Sequence, residues 1–401
     1  MRIFQQSLLA FLSLVAITQP LPALAQSCHN GASFNSWLDG FRQYALSQGV
    51  SSRTVTSALN GITFSQSVVD QDRRQRVFSQ SFLQFSDRMV AQYRLDRGRS
   101  HISNKSSLFS RIERQYGVPG PVLVGFWGLE TDFGANIGDM PVLRSLATLA
   151  YDCRRPERFR GELLAALKII DHGDLTAAQM IGPWAGEMGQ TQFLASHYDH
   201  YGVDYDGDGR RDLLRSSADA LASAANLLKA HGWRNGEPWL EEVKVPAQMP
   251  WEEAGLDIRH SRSDWRRWGV TYADGRALPS DRVQTALLLP MGRNGPAFLA
   301  YRNFDVYLEW NQSFIYSMTA AYYATRLAGA PRVGRGRAEV TPLSYEQTRE
   351  LQRRLTNAGH NVGGIDGTIG ARTRAAVRAV QLQLGLPADS YPTADLLRRL
   401  N

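Results

Sequence analysis

Apolar residues recur along most of the chain at intervals of three and four, the period of helices buried along one face. Phe34, Trp37, Leu38, Phe41 and Ala45 open this pattern, which predicts helical structure across residues 34–60. Residues 106–116 and 120–133 read as two helices parted by Gly117-Val118-Pro119-Gly120, because Gly and Pro interrupt helix interiors. Ala218, Leu221, Ala222, Ala225 and Leu228 share one face of a helix over 218–231, with Ser216 or Ser217 as N-cap and Gly232 as the stop. Another apolar helix is predicted over 313–327. Between 236 and 300 the helical period gives way to prolines, to Trp251, Trp265 and Trp268, and to short apolar runs such as Ala286 to Leu289. That change predicts a small β-containing insertion in a fold that is otherwise mainly α.

Two breaks in the pattern divide the chain. Arg2, the apolar run Leu8 to Ile17 and Ala23-Leu24-Ala25 form a signal peptide over residues 1–25, with cleavage expected after Ala25. The run is too short to span a bilayer, and Pro20 and Pro22 argue against a buried helix there. Residues 331–342, rich in Gly, Pro and Arg, read as a linker. The large domain therefore covers 26–330 and a small one covers 343–401. In the small domain Leu351 and Leu355 line a first helix, and Gly363 to Gly370 form a loop. Val377, Val380 and Leu384 line a second helix, and Leu396, Leu397 and Leu400 a third. Three short helices just bury a core at that size.

Composition adds an address. The hydrophobic fraction of 43% supports a normal core without a covalent staple. Cys28 and Cys153 are the two cysteines of the chain, and in an oxidising compartment they are expected to pair; two buried free thiols are the alternative. Ala25-Gln26-Ser27 is a poor approach to a lipidated Cys28, so a soluble exported product, in the periplasm and associated with the wall, is expected. The net charge of +7 suits an anionic partner or serves solubility alone. Export and the lack of a compact Lys/Arg cluster interleaved with aromatics disfavour nucleic acid, and an anionic cell-wall polymer fits the address better.

Four segments carry candidate chemistry. Val124 to Gly134 places Glu130 after a strongly apolar helix, and a carboxyl against apolar walls keeps its proton to higher pH, as a general acid requires. An isolated Glu at a helix end is more often only half-exposed and inert. Asp132, two residues on, points away on a helix and is a poor partner. Gly182 to Phe193 mixes glycines with Trp184, Met188 and Gln192; Trp184 suits stacking on a sugar and Gln192 suits bonding to its polar groups, while tight core packing accounts for the glycines equally well. Asp204, Asp206, Asp208, Gly209, Arg210 and Asp212 stand at positions one, three, five, six, seven and nine of a calcium loop. Position twelve is Arg215 where Glu is expected, and Asp219 is the substitute ligand. Phe304 to Ser313, leading to Tyr316, offers Trp310 and Asn311 to a cleft, or else capping by Asn311 or Ser313 beside an aromatic core.

In this order the four segments resemble the membrane-bound lytic murein transglycosylase B family over nearly all of residues 28–328. The most specific pieces are Gly128 to Gly134, Ala185 to Phe193, Asp204 to Gly209, and Ala230-His231-Gly232-Trp233. The C-terminal segment resembles the peptidoglycan-binding-1 domain through Leu351-Gln352, Asp366 to Gly370, Thr373 and Gln381 to Leu386. The resemblance implies a lysozyme-like helical fold and a non-hydrolytic cut between N-acetylmuramic acid and N-acetylglucosamine. Glu130 would act first as acid and then as base, and the muramoyl C6 hydroxyl would close a 1,6-anhydro ring. An intramolecular nucleophile makes one carboxylate sufficient. Glycan strands are then the partner, with cell-wall synthesis proteins as further candidates, and no cofactor serves the chemistry; Ca2+ would be structural. Gln192 and Asn311 match family positions that contact substrate, and Trp310, Tyr316, Trp184 and Met188 complete the expected cleft. Three family positions differ: Pro183 replaces a serine, and Trp310 and Leu227 replace tyrosines. A hydrolase would need a second carboxylate, with Glu187 or Asp132 the nearby candidates. A non-catalytic wall-binding scaffold is the alternative from another class.

Overall fold

The computed structural model of the chain describes residues 31–74 and 80–400. The expected signal peptide and Cys28 lie outside the described residues. Seventeen α-helices and seven short strands are present among them.

The first predicted helical stretch is two helices, Phe34–Ser47 and Ser52–Leu59. Gly49 adopts φ +88°, and Ser51 caps the second helix by accepting from Thr54 N. The Gly120–Thr131 helix is apolar on all sides and buried along almost its whole length, as a helix without a polar face must be. It packs against the Phe314–Leu327 and Gln92–Asn104 helices. Ser216 caps the Ser217–Ala230 helix through Asp219 N.

Two strands, β1 (Met140–Pro141) and β2 (Ile181–Gly182), form a small antiparallel pair. The predicted insertion is a five-stranded antiparallel sheet. Its strands are β3 (Leu240–Lys244), β4 (His260–Ser261), β5 (Thr271–Tyr272), β6 (Gln284–Leu288) and β7 (Ala297–Ala300), in the order β4-β6-β7-β3-β5. Leu287 pairs with Leu299, and Leu240 with Ala300. Successive side chains point to opposite faces. Ala286, Leu288, Phe298 and Ala300 therefore join the helical core, while Leu287, Ala297 and Leu299 join Trp251 and Trp265 in a second one. Burial on both faces explains why β6 and β7 read as unbroken apolar runs.

The C-terminal unit has helices Tyr345–Asn357, Ala371–Gln383 and Ala394–Arg399 around Leu351, Leu355, Val377, Val380, Leu396 and Leu400. Buried Gln352 fastens its loop, donating to Asp366 Oδ1 at 2.9 Å and accepting from Gly367 N at 2.8 Å. Leu384 departs from expectation: it stands just past the helix end and is 43% exposed. Residues 331–342 carry no helix or strand, as a linker should, yet they are strapped to the large domain. Arg332 and Arg335 both pair with Asp87 at 2.8 Å, Gly334 N donates to Glu242 at 2.8 Å, and Val333 is buried.

Candidate active site

The Gly120–Thr131 helix ends abruptly. Asp132, Phe133 and Gly134 all adopt positive φ, and Phe133 N turns back to Trp127 O at 3.2 Å. This turn leaves Glu130, half-buried, at the end of an otherwise buried helix. Thr131 Oγ1 donates to Gln190 O at 2.6 Å and accepts from Gly134 N at 2.8 Å, which locks the helix end to the 182–193 loop.

Two donors converge on one oxygen of Glu130. Trp310 Nε1 donates to Oε1 at 2.9 Å, and the Tyr316 hydroxyl donates to the same atom. No residue donates to Oε2 among the described residues. Trp310 is itself stacked on Phe126, with ring centroids 4.2 Å apart, and Phe193 meets it edge-on at 5.7 Å. Burial among these rings pushes the Glu130 carboxyl up to about 7; the bonds from Tyr316 and Trp310 pull against that rise, and the charge of Glu187 adds to it. With Oε1 already accepting twice, Oε2 is the oxygen left to carry the proton.

The other carboxylates near the helix end are placed differently. Asp132 is held by Arg94 and Arg97, each at 3.3 Å. Glu187 is pushed up mainly by burial.

The 182–193 loop is built by close backbone contact. A Cβ at Gly182 would lie 1.9 Å from Glu187 O, and one at Gly189, where φ is +77°, would lie 2.7 Å from Leu213 O. These two glycines serve packing. Gln192 sits at φ +51°, with Nε2 bonded to Gly189 O at 3.0 Å and Ile137 O at 3.3 Å. Trp184 keeps part of its surface exposed. Met188 does not line the cleft as expected. Its side chain is fully buried because its backbone bridges to Phe193 and turns it into the core. Asn311 accepts from Ser313 N at 2.9 Å, and Ser313 caps the Phe314–Leu327 helix, so this turn does the local work expected of a cap. Leu227 is buried, and its replacement of a tyrosine adds to the core.

Residue type alone does not single out Gln190, since the neighbouring Gln192 carries the same signal. It ties three segments together: its carbonyl takes Thr131, its N–H reaches Leu213 O at 2.9 Å, and its Nε2 reaches Leu214 O at 3.2 Å. The acid is thereby braced against the acidic loop.

In that loop the carboxylate oxygens of Asp204, Asp206 and Asp219 lie within 4.8 Å of one another. Asp219 is buried and accepts from the backbone of Tyr205 and Asp212, at 2.8 and 2.9 Å. Asp204 accepts from Gly207 N and Gly209 N at 2.7 and 2.9 Å. Three carboxylates this close repel one another, and an all-oxygen set suits a hard divalent cation. Asp208 departs from the expected ligand set: it turns outward, accepting from Arg210 N at 2.9 Å and pairing with the Arg210 guanidinium at 3.7 Å. The Arg210 guanidinium is engaged by Asp208, and position seven of such a loop binds a cation through its backbone carbonyl, not its side chain. Cys153 is disulfide-bonded; Cys28, its expected partner, is not among the described residues.

Residues 33–325 match the transglycosylase SLT domain, and residues 344–400 the putative peptidoglycan binding domain. Membrane-bound lytic murein transglycosylase B of Escherichia coli (strain K12) is 33% identical over 210 residues, covering 52% of this chain and 57% of that relative. SltB3 from Pseudomonas aeruginosa, solved in complex with NAG-anhNAM-pentapeptide, superposes with a TM-score of 0.85 at 43% identity, covering 92% of this chain and 100% of that one. Escherichia coli lytic transglycosylase Slt35, solved in complex with calcium, gives a TM-score of 0.63 at 27% identity, covering 73% of this chain and 92% of that one.

Proposed function

The chain belongs to the transglycosylase SLT domain family, and from that premise we propose that it is a lytic transglycosylase of peptidoglycan. It cleaves the β-1,4 bond between N-acetylmuramic acid and N-acetylglucosamine and leaves 1,6-anhydromuramic acid ends. The observation that carries this reading is Glu130, a single carboxyl pushed up to about 7 and fixed through Oε1 by Trp310 and Tyr316.

The protonated Oε2 gives its proton to the glycosidic oxygen as the C1–O4 bond breaks. The resulting carboxylate, supported by the two donors, then takes the proton of the C6 hydroxyl as O6 bonds to C1. The proton count closes without water, and Glu130 returns to its starting state. A hydrolytic route needs a second carboxylate to activate water. Asp132 is held by two arginines, so it is not free to activate water, which favours the intramolecular route.

Gln192, Trp184, Trp310 and Asn311 form the sugar-binding wall in this proposal. Asp204, Asp206 and Asp219 would hold a structural Ca2+ that braces the loop joined to Gln190. The unit at 343–401 binds the wall polymer, and the enzyme works outside the cytoplasmic membrane, in the periplasm. No described helix is long and apolar enough to cross a membrane.

Mass spectrometry of fragments released from purified sacculi tests the reaction. Muramoyl ends lighter by one water are expected. Ordinary reducing ends would make the protein a hydrolase, and binding without fragments would make it a scaffold.

A further inference from the structure

A cavity of about 180 Å3 lies where the C-terminal unit meets the sheet insertion and the start of the Phe314–Leu327 helix. Leu287, Leu289, Phe314, Arg374, Arg378 and Asp389 are among its walls. Arg374 is only 8% exposed. It donates to Leu289 O at 3.2 Å and Pro290 O at 2.7 Å, and its guanidinium lies 4.6 Å from the centre of the Phe314 ring. Its Nε is buried and has no hydrogen-bond partner among the described residues. Arg378, one turn on, donates from Nε and Nη2 to the single carbonyl of Glu252, at 3.0 and 2.5 Å.

Two guanidinium groups thus wall one cavity with carbonyls as their only hydrogen-bond acceptors among the described residues. The charge of Asp389, in the same wall, favours the Arg374 cation, but Asp389 forms no ion pair with either guanidinium among the described residues. Its Oδ2 accepts from Arg293 N at 3.0 Å, with the Arg293 guanidinium at 3.6 Å, and its Oδ1 takes Gln381 at 2.8 Å. Asp257, at the cavity wall, is exposed to solvent. A buried cation without a directly paired counter-ion is costly to hold, and burial, opposed by the charge of Asp389, lowers Arg374 to about 10. A carboxylate entering the cavity would supply the missing charge in the geometry that guanidinium favours.

We propose that this junction cavity is a carboxylate-binding subsite that takes a carboxylate of the peptide stem on the glycan strand. The inference rests on the peptidoglycan reading above. Once the lactyl group of muramic acid is joined to its peptide, the carboxylates of the substrate belong to that peptide. The cavity is too small for a disaccharide but admits one acidic side chain or chain end. Phe314, in its wall, opens the helix that carries Tyr316.

The test uses the full chain and an N-terminally fluorescent pentapeptide stem, followed by anisotropy. Two variants probe the site without emptying the core: Arg378→Met removes a half-buried cation, and Ala375→Trp places bulk at the exposed cavity wall. Each is expected to weaken peptide binding about tenfold, the scale of one lost charge-assisted hydrogen bond. A C-terminally amidated stem that binds weakly assigns the site to the terminal carboxylate. An amide that binds as tightly as the acid, with both variants still weak, assigns it to a carboxylate within the stem. No measurable binding to the parent protein, or parent-like binding by both variants, overturns the proposal. Sacculus digestion is run alongside: anhydro ends without peptide binding sink only the subsite, whereas no anhydro ends sink the reaction.

Discussion

Trp310 Nε1 lies 2.9 Å from Glu130 Oε1, across 180 residues of sequence. Phe126 precedes Glu130 by one helical turn, shares its face, and stacks beneath that same indole. One aromatic column therefore removes water from the carboxyl and also donates to it. Desolvation favours the neutral acid, while the donors favour the carboxylate that follows proton transfer, so a single residue is prepared for both halves of the reaction.

Glu130→Gln is expected to lower release of anhydro fragments by roughly 100- to 10,000-fold, the usual range for loss of a general acid. Pelleting with sacculi should be unchanged, because the C-terminal unit is untouched. Retained lysis by this variant would remove Glu130 from the proposed role.

The acid form of Glu130 predominates below about pH 7, so activity should fall as pH rises through that value. The sign for stability follows from the same raised carboxyl. The folded protein holds the proton more tightly than the unfolded chain between pH 4.5 and about 7. Stability is then lost as pH rises through this window, by on the order of 3 kcal/mol. Thermal unfolding at pH 5 and pH 8 checks it: the parent should lose more on this rise than Glu130→Gln does.

Tyr316→Phe deletes a donor that favours the Glu130 carboxylate. The alkaline limb of the pH–rate profile should move to higher pH, and the maximal rate should fall because the carboxylate loses support as base. An unmoved limb in a folded variant would show that the hydroxyl bond does not control the acid.

The main features of this site were legible in the sequence because they rest on local chemistry. Glu130 follows an apolar helix, aspartates recur at loop spacing, and helical periodicity fades where the sheet begins. What the sequence hid depends on contacts between distant segments. Trp310 reads from the sequence as a residue lining a cleft, and its bond to Glu130 joins segments 180 residues apart. Met188 sits in a motif with substrate-binding neighbours, yet its backbone bridge to Phe193 buries it. Asp208 fits the loop pattern by number, but the chain turns it toward Arg210. Residues 331–342 have the composition of a free tether, yet Asp87, Glu242 and Pro246, far away in sequence, help to hold them down.

Calcium should raise the melting temperature of the parent protein, since an ion bound only by the folded state stabilises it by about 2.7 kcal/mol at one hundred times its dissociation constant. Asp206→Ala should lower the melting temperature in calcium and abolish the response to chelator. A parent protein indifferent to calcium would leave Asp204, Asp206 and Asp219 without the proposed ion.

Truncation after Pro342 separates targeting from catalysis. Loss of residues 343–401 should weaken pelleting with sacculi while cleavage of short soluble glycans continues, because every group bonded to Glu130 lies before residue 317. The cut keeps the strap of Arg332, Val333 and Arg335 in place. It does remove Arg374 from Phe314 and from the carbonyls of Leu289 and Pro290. The melting temperature should therefore drop, as newly exposed apolar surface and unpaired carbonyls are left at the junction. Assays well below that lower melting temperature decide the matter. Continued cleavage of short glycans places catalysis wholly in the large domain, whereas its loss in a still-folded protein would mean that Arg374, through Phe314, helps to set the position of Tyr316 against Glu130.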